Sequence, residues 1–136
     1  MMKKFIIFKM ISLLIVFSAY AGPVDVNTAK NVAKNFYYEV LPDSKDLTYN
    51  EVKPELVYTC TEGTIPIYYV FNVNQNDGFV IISADDDAYP TLGCSFTGEY
   101  LEGAEQPPNF VDWMNNYKEQ ILFVKNNGLQ ADETIE

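Results

Sequence analysis

Between Ile67 and Ile82 two runs of β-branched and aromatic residues flank Asn76-Asp77-Gly78. The first run, residues 67–73, is dense in Tyr, Val and Phe, the residue types that fill a pleated, half-buried surface. The second, Phe79-Val80-Ile81-Ile82, is apolar on both faces, which predicts a central strand. Asn76-Asp77-Gly78 supplies residues that tolerate positive φ, the usual need of a tight hairpin. A chain with this segment has to be organised around an antiparallel β-hairpin.

The flanking sequence extends the hairpin on both sides. Residues 55–61 predict a strand, joined to the next by the turn Thr61-Glu62-Gly63-Thr64. Residues 83–90 form an acidic loop, and residues 91–96 a fourth strand that ends before Gly98. Upstream, Ala29, Val32, Ala33, Phe36 and Val40 recur at three- and four-residue spacing and share one face of a helix over 25–40. Asp25 or Asn27 suits its cap, and Pro42 forbids much continuation. Residues 42–54 read as a polar loop. Downstream of an acidic connection at 99–108, Phe110, Trp113, Met114, Tyr117, Ile121 and Val124 fall on one stripe of a second helix. Asn109 reads as its N-cap, Asp112 suits its first turn and Gly128 its stop. Phe123 falls off the stripe. The order helix, four strands, helix predicts an α+β fold: a four-stranded antiparallel meander with an N-terminal and a C-terminal helix packed on it.

Ahead of this domain stand a cationic Met1-Met2-Lys3-Lys4, an apolar run over 5–17, and Ala19-Tyr20-Ala21 in small-x-small spacing. This pattern predicts a signal peptide at 1–21 and export, to the periplasm or the exterior. The apolar run is too short to be a comfortable membrane anchor. Residues 22–128 are then one domain, and 129–136 a flexible tail. Export leaves six lysines against 19 acidic side chains, with no arginine and no histidine. Such a surface repels nucleic acid and anionic lipid and would attract a basic protein. Acidity that merely keeps an exported protein soluble is the plainer alternative. Cys60 and Cys94 are a candidate disulfide in an oxidising compartment, which would stabilise by about 3–4 kcal/mol in the chain-entropy picture. Two thiols packed as small hydrophobes are the alternative.

The absence of histidine removes most catalytic options. Neither cysteine has an intrachain histidine to activate it, a zinc site would have to use Cys and carboxylates alone, and no Gly-rich phosphate loop is present. No cofactor is expected. Asp85-Asp86-Asp87 has the ligand type for calcium or magnesium, yet a solvated loop between strands explains it more simply, and no metal is expected. The series Asn72, Asn74, Asn76, Asp77 fails as an EF-hand, because its sixth and twelfth places hold Asp77 and Ser83 rather than Gly and Glu.

The stretch Ile67-Tyr-Tyr-Val-Phe-Asn-Val-Asn-Gln-Asn-Asp-Gly-Phe-Val-Ile-Ile-Ser-Ala-Asp-Asp, then Pro90-Thr-Leu-Gly-Cys-Ser-Phe-Thr-Gly98, then a helix with Phe110, Met114, Tyr117 and Gln120-Ile121, resembles the propeptide of streptopain-type cysteine proteases. It is similar also to the free-standing inhibitors related to that propeptide. The resemblance is specific over 67–124 and looser at the first helix; Cys94 stands where the family usually carries Tyr. It implies a non-enzymatic inhibitor, monomeric when free, whose partner is a streptopain-like, papain-fold cysteine protease. Because the chain stops near where a protease domain would begin, action in trans is expected. The implied mechanism is occlusion of the active-site cleft, with the protease's catalytic histidine kept out of place. The family's cleft-directed asparagine matches Asn109, which follows Pro107-Pro108 and precedes Phe110. Asp85 and Asp86, in the 83–90 loop, are the second candidate contact. A non-inhibitory binding module, or a vestigial propeptide serving as a folding aid, are the competing readings.

Overall fold

Residues 22–130 are described by a computed structural model; the expected signal segment and most of the expected tail lie outside them. The hairpin-centred expectation is realised as helix α1 (Val26–Glu39), strands β1 (Pro54–Glu62), β2 (Ile65–Val73), β3 (Phe79–Ser83) and β4 (Thr91–Ser95), and helix α2 (Pro108–Asn127), with one 3₁₀ turn at Tyr49–Glu51. The strands form one antiparallel sheet in the order β1-β2-β3-β4. None of the described helices is long and apolar enough to cross a membrane.

Because side chains alternate along a strand, the sheet divides the core in two. Tyr69, Phe71 and Val73 of β2 and Val80 and Ile82 of β3 join Ala29, Ala33 and Tyr37 of α1. Tyr68 and Val70 of β2 and Ile81 of β3 join Met114 and Ile121 of α2. The two helices therefore cover opposite faces, which is why the central run is apolar throughout. Each fully buried large side chain contributes about 1.5–3 kcal/mol.

On the first face, Asp25 caps α1, its carboxylate accepting from the N–H groups of Asn27 and Thr28 at 2.9 and 3.1 Å. Hydrogen bonds from Thr28 hold that carboxyl below its usual range. Ala29 and Ala33 let the helix approach the sheet closely. The expected stripe ended at Val40, but Val40 is the C-cap and is exposed. Tyr37 takes the place instead: it is fully buried and its hydroxyl donates to the Asp77 carbonyl at 2.6 Å. Burial pushes this phenol up to about 12.

The hairpin turn also differs from expectation. Positive φ falls on Asn74 (49°) and Gln75 (69°), not on Asn76 and Asp77. The ladder explains the shift. Asp77 N–H donates to Val73 at 3.0 Å, and Val73 N–H to Gly78 at 2.9 Å, so the reversal lies wholly within 74–76. Gly78 (φ 108°) is needed for another reason: a Cβ there would lie 1.9 Å from the Ser95 carbonyl oxygen.

The candidate disulfide is not made. Cys60 and Cys94 are free thiols. Cys60 lies on β1 in the α2-side cluster, Cys94 on β4 against the α1-side cluster. They sit on opposite edges and opposite faces of a four-stranded sheet. Three interstrand spacings, about 14 Å in all, exceed the Cα separation of about 7 Å that a disulfide tolerates. Burial pushes the Cys94 thiol up to about 11.

Candidate functional site

Helix α2 begins as its prolines dictate. A proline ring presets helical φ and lacks an N–H that the first turn would leave unpaired. The helix therefore opens at Pro108, with Pro107 as its N-cap residue. The Pro107 carbonyl accepts from Phe110 N–H at 2.9 Å and Val111 N–H at 3.1 Å. This corrects the expected cap. Asn109 lies inside the first turn, exposed, and its side chain has no hydrogen-bond partner among the described residues. Both its donor and its acceptor face solvent among the described residues. Pro107 and Pro108 are exposed beside it.

Phe110, the next residue, points the other way. It is half-buried, with ring centroids 6.3 Å from Phe79, 6.5 Å from Tyr100 and 6.2 Å from Trp113. It anchors the turn that carries Asn109 rather than offering itself as a contact. The chain of rings continues from Tyr100 to Tyr58 and from Trp113 to Tyr117. Burial raises the phenols of Tyr58, Tyr68 and Tyr100 above their ordinary range. Trp113 rests on β4 where Gly93 makes room: a Cβ there would lie 2.9 Å from the indole. Even so, Trp113 is 43% exposed, and Val111 (41%) and Leu101 (54%) are exposed on the same helix start and the connection leading to it. Trp is among the residue types enriched at protein interfaces, whose apolar centre is bordered by a polar rim.

The second candidate region divides. Asp85 is buried, and its carboxylate is engaged within the fold. One oxygen pairs with Lys125 Nζ at 2.6 Å and the other accepts from Asp87 N–H at 2.9 Å. It fastens the C-terminal half of α2 to the β3–β4 loop. Asp86 alone of the two is exposed. Oxygens of Asp85, Asp86 and Asp87 lie within 4.8 Å of one another, but the lysine already balances the most buried of the three. Lys118 and Glu62, 2.7 Å apart, add a surface tie from α2 to the β1–β2 turn.

Leu101, Val111 and the exposure of Trp113 were not singled out from sequence. Leu101 sits in a loop without periodicity, Val111 lies off the stripe, and Trp113 lies on it and reads as core. The sequence signal was the Pro-Pro pair, which fixes where the helix begins and hence which residue stands free beside it.

No solved structure gives a significant match to the chain. The thiol protease/hemagglutinin PrtT of Porphyromonas gingivalis is 32% identical over 104 residues. That alignment covers 76% of this chain but only 12% of the relative. The sequence profile of the Spi protease inhibitors matches residues 21–121, from just ahead of α1 to the middle of α2. The chain belongs to the Spi protease inhibitor family.

Proposed function

We propose that this domain is exported and, acting in trans, binds a streptopain-like, papain-fold cysteine protease and blocks its active-site cleft. The observation that carries this reading is the presentation of Asn109: exposed, without a partner among the described residues, and preceded by the stiff pair Pro107 and Pro108. A contact residue already held in its docked conformation loses little entropy on binding. The family's description as protease inhibitors supports the class of partner, and the likeness to a thiol protease supports a cysteine nucleophile in the target. The exposed Leu101, Val111 and Trp113 supply apolar area at the start of α2 and on the connection before it. The acidic surface favours association with a basic cleft rim.

The test is a titration of residues 22–136 against a streptopain-type protease from the same organism, with papain as control. Stoichiometric inhibition of the first and sparing of papain is the expected result. Residual activity unchanged at micromolar domain would overturn the reading for that protease and favour a binding module without inhibitory function.

A further inference from the structure

Asn72 is a buried polar side chain near the C-terminal end of β2, an otherwise largely apolar strand, and is only 6% exposed. Its carboxamide is engaged entirely with the backbone of one distant residue. Asn72 Oδ1 accepts from the Tyr100 N–H at 2.8 Å, and Nδ2 donates to the Tyr100 carbonyl at 3.0 Å. The pair reproduces, with a side chain, the reciprocal bonds that hold neighbouring strands. Turning the amide over would oppose donor to donor and acceptor to acceptor, so the two bonds fix its orientation together.

What Asn72 holds is the connection to α2. Gly98 is the last residue upstream tied to the hairpin, its carbonyl accepting from Gly78 N–H at 2.8 Å. Beyond it, among the described residues, the Asn72–Tyr100 pair supplies the only hydrogen bonds from residues 99–107 to the rest of the fold ahead of α2. The others close the loop on itself: Ala104 N–H and Gln106 Nε2 both donate to the Leu101 carbonyl at 3.3 Å. With its backbone fixed, Tyr100 sets its ring 6.5 Å from that of Phe110, the residue beside Asn109. A leucine at position 72 would suit the apolar face and leave the connection held by ring packing alone.

We propose that Asn72 is a positioning residue of the inhibitory element, clamping Tyr100 so that Pro107, Pro108 and Asn109 meet the protease already ordered. The inference rests on the reading of Asn109 as a protease contact, and the experiment separates the two. Hydrogen exchange on the free domain comes first. The Tyr100 amide is expected to exchange at least about a hundredfold more slowly than those of Leu101 and Glu105. Asn72→Leu is expected to abolish that protection, leave the β2–β3 amides protected, and weaken inhibition about tenfold or more. In an Asn109→Ala background the same replacement is expected to change inhibition by less than about twofold, because its effect runs through Asn109. Asn72→Ala, which removes both bonds without adding apolar bulk, is expected to lose the Tyr100 protection in the same way and serves if Asn72→Leu does not fold. An unprotected Tyr100 amide in the wild type, or equal losses in both backgrounds, overturns the inference. If Asn109→Ala itself inhibits fully, the Asn109 reading has failed. Asn72 is then judged by Asn72→Leu alone: weakened inhibition retains it as the clamp of the docking loop, and intact inhibition sinks it.

Discussion

The two faces of the sheet are built differently. Under α1 the packing is close and sealed: two alanines admit the helix, Tyr37 is fully buried, and its hydroxyl is paired. Under α2 the contact is made by a string of rings, several of them half-exposed, and by lysine ties at two points along the helix. Close packing tolerates little change and specifies the fold. Ring packing with exposed edges leaves surface for a second molecule. On the proposed reading, the first face mainly holds the fold and the second is the side that meets the protease.

Replacing the anchor of each face tests that division most severely. Tyr37→Ala should destabilise by about 3–5 kcal/mol through its cavity and the lost bond to Asp77. Phe110→Ala, at a half-buried site, should lose only about 1–2 kcal/mol yet weaken inhibition the more of the two. Chemical denaturation and inhibition titration read both quantities, and a larger stability loss for Phe110→Ala would break the comparison.

The lysine tie sharpens it. Lys125→Met leaves the Asp85 carboxylate buried without its cation and should cost about 2 kcal/mol, less than a fully buried pair because the lysine side chain keeps 19% exposure. Hydrogen exchange should show the loosening in the last turns of α2 and not in α1.

A smaller effect concerns the hairpin end on the α1 face. Asp77 is held below its ordinary value of 3.8 by the hydrogen bond from Lys45, 2.9 Å away, and by one from Asn74. A carboxyl whose folded pKa lies below its unfolded one contributes stability that is complete above the unfolded value and lost as pH falls through the folded one. Its side chain is 36% exposed, so the contribution at pH 7 is about 0.5 kcal/mol after screening. Asp77→Asn should therefore lower the melting temperature slightly at pH 7, and the gap to wild type should close below about pH 4. A gap that widens in acid would contradict the assignment. The smallest stability change belongs to Asn109→Ala, within about 0.5 kcal/mol because its side chain makes no hydrogen bond among the described residues. Inhibition should fall about tenfold or more. A large melting shift for this variant would mean the asparagine is structural after all.

Much of the architecture was legible because it rests on periodicity. The apolar-on-both-faces run at 79–82 and the two helical stripes led directly to a four-stranded sheet with two helices packed on it, and the structure adds that they take opposite faces. Features that depend on what crosses what were not legible. The hairpin's positive-φ residues moved to 74 and 75 because the ladder runs on to Val73, and Gly78 serves the passing Ser95 backbone instead. Tyr37 escaped a stripe counted towards Val40. The cysteines looked pairable until strand order set them on opposite edges. The candidate site was readable mainly through resemblance, helped by the Pro-Pro pair that fixes the start of α2. Another local clue, a polar Asn72 inside an apolar strand, demanded a partner that only the return of the chain at Tyr100 supplies.

The central claim is that the start of α2 and the connection before it form the protease-facing side. Hydrogen exchange of the domain alone and in complex with its protease tests this most directly. The account predicts new protection concentrated at 99–117, with α1 unchanged. Protection centred instead on α1 or on β1, with 99–117 exchanging as in the free domain, would contradict it.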